Sequence, residues 1–280
     1  MALLLIVTFA LVLVSPGEAL AWGPGVHTAT ARFVLANLDL VPQAVAAVLT
    51  QFPNTFLYGC LSADFFVGKG VTVKPGHSHN WQSARSLLQT AHTDQLAAHS
   101  LGYLSHLAAD IVAHNCYVPQ VISRTALHGN LAHVYVEMQA DSRLTGGLGR
   151  AGKLSRPSQR LVDRSLVETL RKNSLAYHCR KGVFQGSARL GRLRGWNRSL
   201  RFAQRLMPLP DPNGLLDNMF ELSLRAVLDI LRDPADSGLM AFDPIGSRNL
   251  ALARRGRPLE LDEAAFDLPV LPSPQLQDVA

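Results

Sequence analysis

Eight of the ten histidines lie between residues 77 and 133, and the region around them also holds Asp64, Asp94, Asp110 and Glu137. Imidazole and carboxylate without thiolate is a donor set that suits Zn²⁺ in hydrolytic sites, where an open position binds water. Spacing says more than number. His106, Asp110 and His114 stand at i, i+4 and i+8, so on a helix they form one stripe along one face. His133 and Glu137 make a second i, i+4 pair, and Asp141 continues their line. Facing helices that aim such groups inward build metal sites, because the backbone fixes each donor. The sequence His77-Ser78-His79-Asn80-Trp81 offers a further imidazole, from either His77 or His79. Asp64 has two readings, a metal-facing carboxylate or a helix cap or turn residue. His92, His99, His128 and His178 lack a partner at helical spacing and read as surface or structural.

The elements that must position these groups are helical. Residues 101–114 are apolar nearly all round, so His106, Asp110 and His114 should be buried or face a cavity. A buried carboxylate between imidazoles is costly unless a charge or a metal compensates it. One histidine in such a helix reads as a satisfied core residue; three aligned ionisable groups with a second His/Glu pair read as metal ligands. Helical periodicity also covers 28–38, 41–52, 81–90, 94–114, 131–144, 162–177 and 214–231. Residues 53–80, rich in Gly and Pro, read as mostly loop. No alternating strand pattern of useful length precedes residue 145. The fold class expected is all-α, a multi-helix domain with a basic helical C-terminal extension. The divisions expected are 1–21, a catalytic region at 22–145, the basic extension at 146–232 and a partly ordered tail at 233–280.

Of the 280 residues, 48% are hydrophobic and 17% charged, which excludes a disordered chain and allows a sizeable core. The formal charge of +6 favours anionic partners, phospholipid headgroups or nucleic acid, without choosing between them. Fifteen of the 27 Lys and Arg fall in residues 150–205, against the two acids Asp163 and Glu168. That stretch reads as a solvated helix face with a loop, or as a surface that meets membrane or phosphate. Residues 2–14 form an apolar run, broken at Ser15-Pro16-Gly17 and followed by Ala19-Leu20-Ala21, the small-residue pattern of a signal-peptide cut. Export with cleavage after Ala21 is expected, and Trp22 then becomes the mature N-terminus. Cys60, Cys116 and Cys179 show no metal-binding spacing and read as core residues, or as one bridge and a free thiol.

Taken in order, Trp22-Gly23-Pro24-Gly25-Val26-His27, Ser62-Ala63-Asp64, His106-x₃-Asp110-x₃-His114 and His133-x₃-Glu137 resemble the zinc-dependent phospholipase C family. That family is related in fold to the fungal single-strand-specific nucleases. The 77–81 loop also resembles the phospholipase domain of glycosylphosphatidylinositol-specific phospholipase D. The resemblance implies three zinc ions. Trp22, through its α-amino nitrogen and carbonyl oxygen, and His27 would share one with Asp110, which bridges to a second. The second would be completed by Asp64, His106 and either His77 or His79, with His79 favoured. The third would take His114, His133 and Glu137. Asp64 would be the orienting base for the attacking water or a bridging ligand. The expected activity is phosphodiester hydrolysis on a phospholipid or membrane surface, by a monomer with no protein partner evident. Nucleic acid is the less favoured substrate, because few aromatic residues (Phe65, Phe66, Tyr117) lie near the ligands to stack bases. A secreted nuclease or a catalytically silent zinc-binding protein are the alternatives.

Overall fold

Ala- and Leu-rich segments opened by polar caps or proline fold as helices, and the described residues contain no strand. The computed structural model describes residues 22–66, 77–125, 129–143, 159–190 and 194–257, with Phe266 and Leu268. The side chains of 129–134, 187–190, 194–197 and 199 fall outside that description. The expected signal peptide at 1–21, His128 and the imidazole of His133 therefore lie outside the described residues.

Helix α1 (Pro24–Ala36) opens on a proline, as do the helices that follow it closely: α2 (Gln43–Gln51) starts after Pro42 and α3 (Pro53–Ser62) at Pro53. A 3-10 turn, Ala63–Phe66, extends α3. Residues 53–66 are thus helical where a loop was expected. Pro53 sits at the first helical position, where its missing N–H is no loss and its fixed φ suits the helix. Asn80 caps α4 (Trp81–Gln89) by accepting from the Gln82 amide, and Thr93 caps α5 (Asp94–Val112) through the Leu96 amide.

Helix α5 is the centre of the molecule, packed most extensively on α3 and on α11 (Leu215–Arg232). Gly59 of α3 and Gly102 of α5 let the two backbones touch. A Cβ on Gly59 would sit 2.3 Å from the His99 carbonyl oxygen, and one on Gly102 would sit 2.2 Å from that of Phe56. Gly59 is therefore a close-approach residue and not a breaker. This crossing sets the end of α3, and with it Asp64, against the middle of α5.

Beyond Val112 the helix widens into a π turn, Ala113–Tyr117, and continues as α6 (Val118–Ser123). Helix α7 (Gly129–Arg143) follows. The single helix expected over 162–177 is two, α8 (Arg160–Thr169) and α9 (Ser174–Leu190), divided where Arg171 takes a positive φ of 50°. A buried ion pair ties these helices to the core. Lys181 Nζ lies 2.7 Å from Asp163 Oδ2, and the hydroxyls of Tyr177 and Tyr58 donate to Asp163 Oδ1. Helix α10 (Arg194–Leu206) rests on α7. Within the stretch expected to be partly ordered, α12 (Ser247–Arg254) packs on α6 and on the π turn.

Candidate metal centre

Four buried donor atoms from three separate segments converge. His106 and Asp110 come from successive turns of α5, Asp64 from the 3-10 turn after α3, and His79 from the loop before α4. His79 Nε2 lies 3.1 Å from His106 Nε2 and 3.3 Å from both Asp64 Oδ1 and Asp110 Oδ2. His106 Nε2 lies 3.5 Å from Asp64 Oδ1 and 3.1 Å from Asp110 Oδ2. Donors bonded to zinc at about 2.05 Å stand about 3.3 Å apart at the corners of a tetrahedron. The residues present fit the ion: every one of these five separations is close to such an edge.

The surroundings orient the imidazoles for that role. His106 Nδ1 lies 2.9 Å from the Cys60 carbonyl, which can only accept, so Nδ1 carries the proton and Nε2 keeps its lone pair for a ligand. His79 Nδ1 is held by Ser78 Oγ at 3.2 Å, leaving Nε2 toward the cluster. The loop is fixed in turn by Tyr103, whose hydroxyl donates to the Ser78 carbonyl at 2.5 Å, and by Ser83, which donates to the His77 carbonyl at 3.0 Å. His77 is buried but braces the loop backbone, since its Nδ1 accepts from the His79 amide at 3.1 Å. The structure groups His79, and not His77, with Asp64 and His106.

Asp110 faces two ways. While Oδ2 meets His79 and His106, Oδ1 lies 3.2 Å from His27 Nε2. His27 stacks on His106 with ring centroids 3.9 Å apart. A carboxylate placed so can bridge two ions. His27 is held there by a contact that spacing only hinted at. Asp141 of α7 accepts from the Gly25 amide at 2.9 Å and the Val26 amide at 3.0 Å, a buried anion at the N-terminus of α1. Gly23 and Gly25 make room for it, since a Cβ on either would lie 2.3 or 2.8 Å from that carboxylate. Trp22 is buried beside them, stacked on Tyr117 and donating from Nε1 to Ser223 Oγ at 3.0 Å.

The charge balance also asks for a cation. Asp64, Asp110, Glu137 and Asp141 are all buried. Burial opposes the charge of Asp110, but His106 and His27 overcome it and hold this carboxyl well below the usual range. Burial, with the charges of Asp64, Asp141 and Asp110, pushes Glu137 far up, and its Oε2 has no hydrogen-bond partner among the described residues. Burial pushes Asp141 up to about 7 against the two amides that stabilise its charge. An added cation relieves this mutual repulsion. His114 is buried at the start of the π turn and belongs to neither donor group among the described residues. With His133 outside the described side chains, His114 and Glu137 are the visible part of the third expected set.

The family model for zinc dependent phospholipase C matches residues 26–178, more than half of the chain. The chain belongs to the zinc-dependent phospholipase C family. No curated protein and no solved structure matches it. The family match encloses His27, Asp64, His79, His106, Asp110, His114, His133, Glu137 and Asp141, and begins just after Trp22. The family is one of zinc-dependent phospholipases C, and the structure offers two His/Asp donor groups that could hold metal ions.

Proposed function

We propose that the protein is an exported phospholipase C that hydrolyses the phosphodiester of a phospholipid, releasing diacylglycerol and a phosphorylated headgroup. The convergence of His79, His106, Asp64 and Asp110 at zinc-like separations is the observation that carries this reading. One zinc would be held by those four residues, a second by Asp110, His27 and the terminal atoms of Trp22 after cleavage at Ala21, and a third by His114, His133 and Glu137. Zinc so held supplies a Lewis acid that makes water nucleophilic near neutral pH and neutralises phosphate oxygens. Asp64 Oδ1 belongs to the four-donor group, and its buried Oδ2, without a hydrogen-bond partner among the described residues, is the atom that orients the attacking water and takes its proton. His106, fixed by the Cys60 carbonyl, and Asp110, shared between two donor groups, hold the centre rigid. Burial excludes bulk water and strengthens each electrostatic contact.

Lipid is favoured over nucleic acid by what became of the nearby aromatics. Phe65 and Phe66 are core residues packed on Tyr58, Tyr177 and Phe184, and Tyr117 is stacked on Trp22, so none is a platform for bases. The test is product analysis with the zinc-loaded mature protein on phosphatidylcholine and on single-stranded DNA. Phosphorylcholine without nucleotide release is expected. Nucleotide release without phosphorylcholine would contradict the reading in favour of a nuclease on the same centre.

A further inference from the structure

From residue 169 to 210 the chain contains no Asp or Glu and ten Lys and Arg, none of them used by the metal centre. In α10 this charge is sorted by helical geometry. Arg198, Arg201, Phe202, Arg205 and Leu206 stand at i, i+3, i+4, i+7 and i+8, so they share one face. All five are exposed, the apolar ones heavily so, with Phe202 at 53%, Leu206 at 66% and Met207, just past the end, at 44%. The inward side of the helix is already occupied. Leu200 is buried, Gln139 Nε2 of α7 donates to the Leu200 carbonyl at 3.2 Å, and the Tyr135 hydroxyl donates to the Met207 carbonyl at 2.7 Å. Helix α7, on which α10 is seated, is the helix that carries Glu137 and Asp141.

We propose that the outer face of α10 docks the protein on a negatively charged phospholipid surface. Three guanidinium groups match lipid phosphates, which they grip through paired N–H donors. Between them Phe202, Leu206 and Met207 enter the boundary between headgroups and acyl chains and leave water. Nucleic acid would engage the arginines and Phe202 too, but Leu206 and Met207 give it nothing to stack on, whereas a lipid boundary takes up all three apolar side chains. The surface decides where the protein docks and not which bond it cleaves, so its failure would leave the hydrolytic reading standing.

The test is flotation of the zinc-loaded mature protein with phosphatidylcholine vesicles, with and without phosphatidylserine, and a parallel titration with poly-dT. Tighter binding to the phosphatidylserine vesicles, weakened by salt, is expected. Each arginine near such a surface is worth about fivefold in partitioning, so R198A/R201A/R205A should bind about a hundredfold more weakly. The lysine triple variant R198K/R201K/R205K should keep most of the binding. Phe202→Ser with Leu206→Ser should weaken binding to both kinds of vesicle and leave the salt dependence in place. Unchanged zinc content in each variant shows that the fold and centre are intact. Equal vesicle binding by wild type and the alanine triple variant would overturn the proposal. So would poly-dT binding that these substitutions abolish while vesicles bind neither protein.

Discussion

At the scale of single residues, the centre depends on groups that are not ligands as much as on those that are. Asp141 joins the start of α1, which bears His27, to the helix that bears Glu137. Asp141→Asn keeps the shape but can accept from one amide well and presents N–H to the other. Zinc affinity is expected to fall about 10–100-fold, read by competition with a chelator, with the circular dichroism spectrum unchanged. The i, i+4 line from Glu137 pointed at Asp141, but the sequence could not say that its partners were backbone amides more than 100 residues away. His99, read from sequence as surface or structural, is a buried neutral imidazole against Ser62 Oγ at 2.9 Å. Burial pushes its pKa down to about 4. The unfolded chain takes up this proton near pH 6.5 and the folded chain only near pH 4, so the stability tied to neutral His99 is full above pH 6.5 and lost as pH falls between those values. That loss is about 3 kcal/mol. The difference in thermal midpoint between wild type and His99→Gln should therefore change over this window and be flat above it.

At the scale of elements, the glycine crossing of α3 and α5 determines whether Asp64 meets His106. Gly102→Ala forces its methyl group against the Phe56 carbonyl. Overpacking at a tight contact costs about 1–3 kcal/mol, and the shift of α3 separates donors that must stay within a few tenths of an ångström. A lower thermal midpoint together with reduced zinc content is expected, whereas a loss of stability alone would show that the crossing does not position the site. Periodicity made α1, α2, α4, α5, α7 and α11 legible, because each turns apolar residues at helical spacing toward the core. It missed α3, where Pro and Gly act as helix start and close-approach residue, functions that only the three-dimensional packing distinguishes from breaking a helix. It also merged α8 with α9, since apolar spacing continues across a break that one positive φ creates. Of the stripe of His106, Asp110 and His114, the first two stand in donor groups, while His114 lies in a π turn that residue spacing does not announce.

At the scale of the whole molecule, one all-helical fold gathers donors from helices α1 and α5, a 3-10 turn and a loop into a buried centre rich in carboxylates. The donor types were legible in the sequence because buried imidazole and carboxylate at helical spacing have few other uses. The choice of His79 over His77 was decided by a loop whose hydrogen bonds the sequence does not display. The chain belongs to the zinc-dependent phospholipase C family, and the proposed chemistry and lipid substrate draw on that membership. The central claim is that His79, His106, Asp64 and Asp110 hold zinc, and elemental analysis tests it most directly. Mature protein purified in the presence of zinc and dialysed should retain two or more zinc ions per chain, as two donor groups require, and His106→Ala should lose at least one of them. Less than one zinc per chain in the wild-type protein, or an unchanged content in His106→Ala, would contradict it.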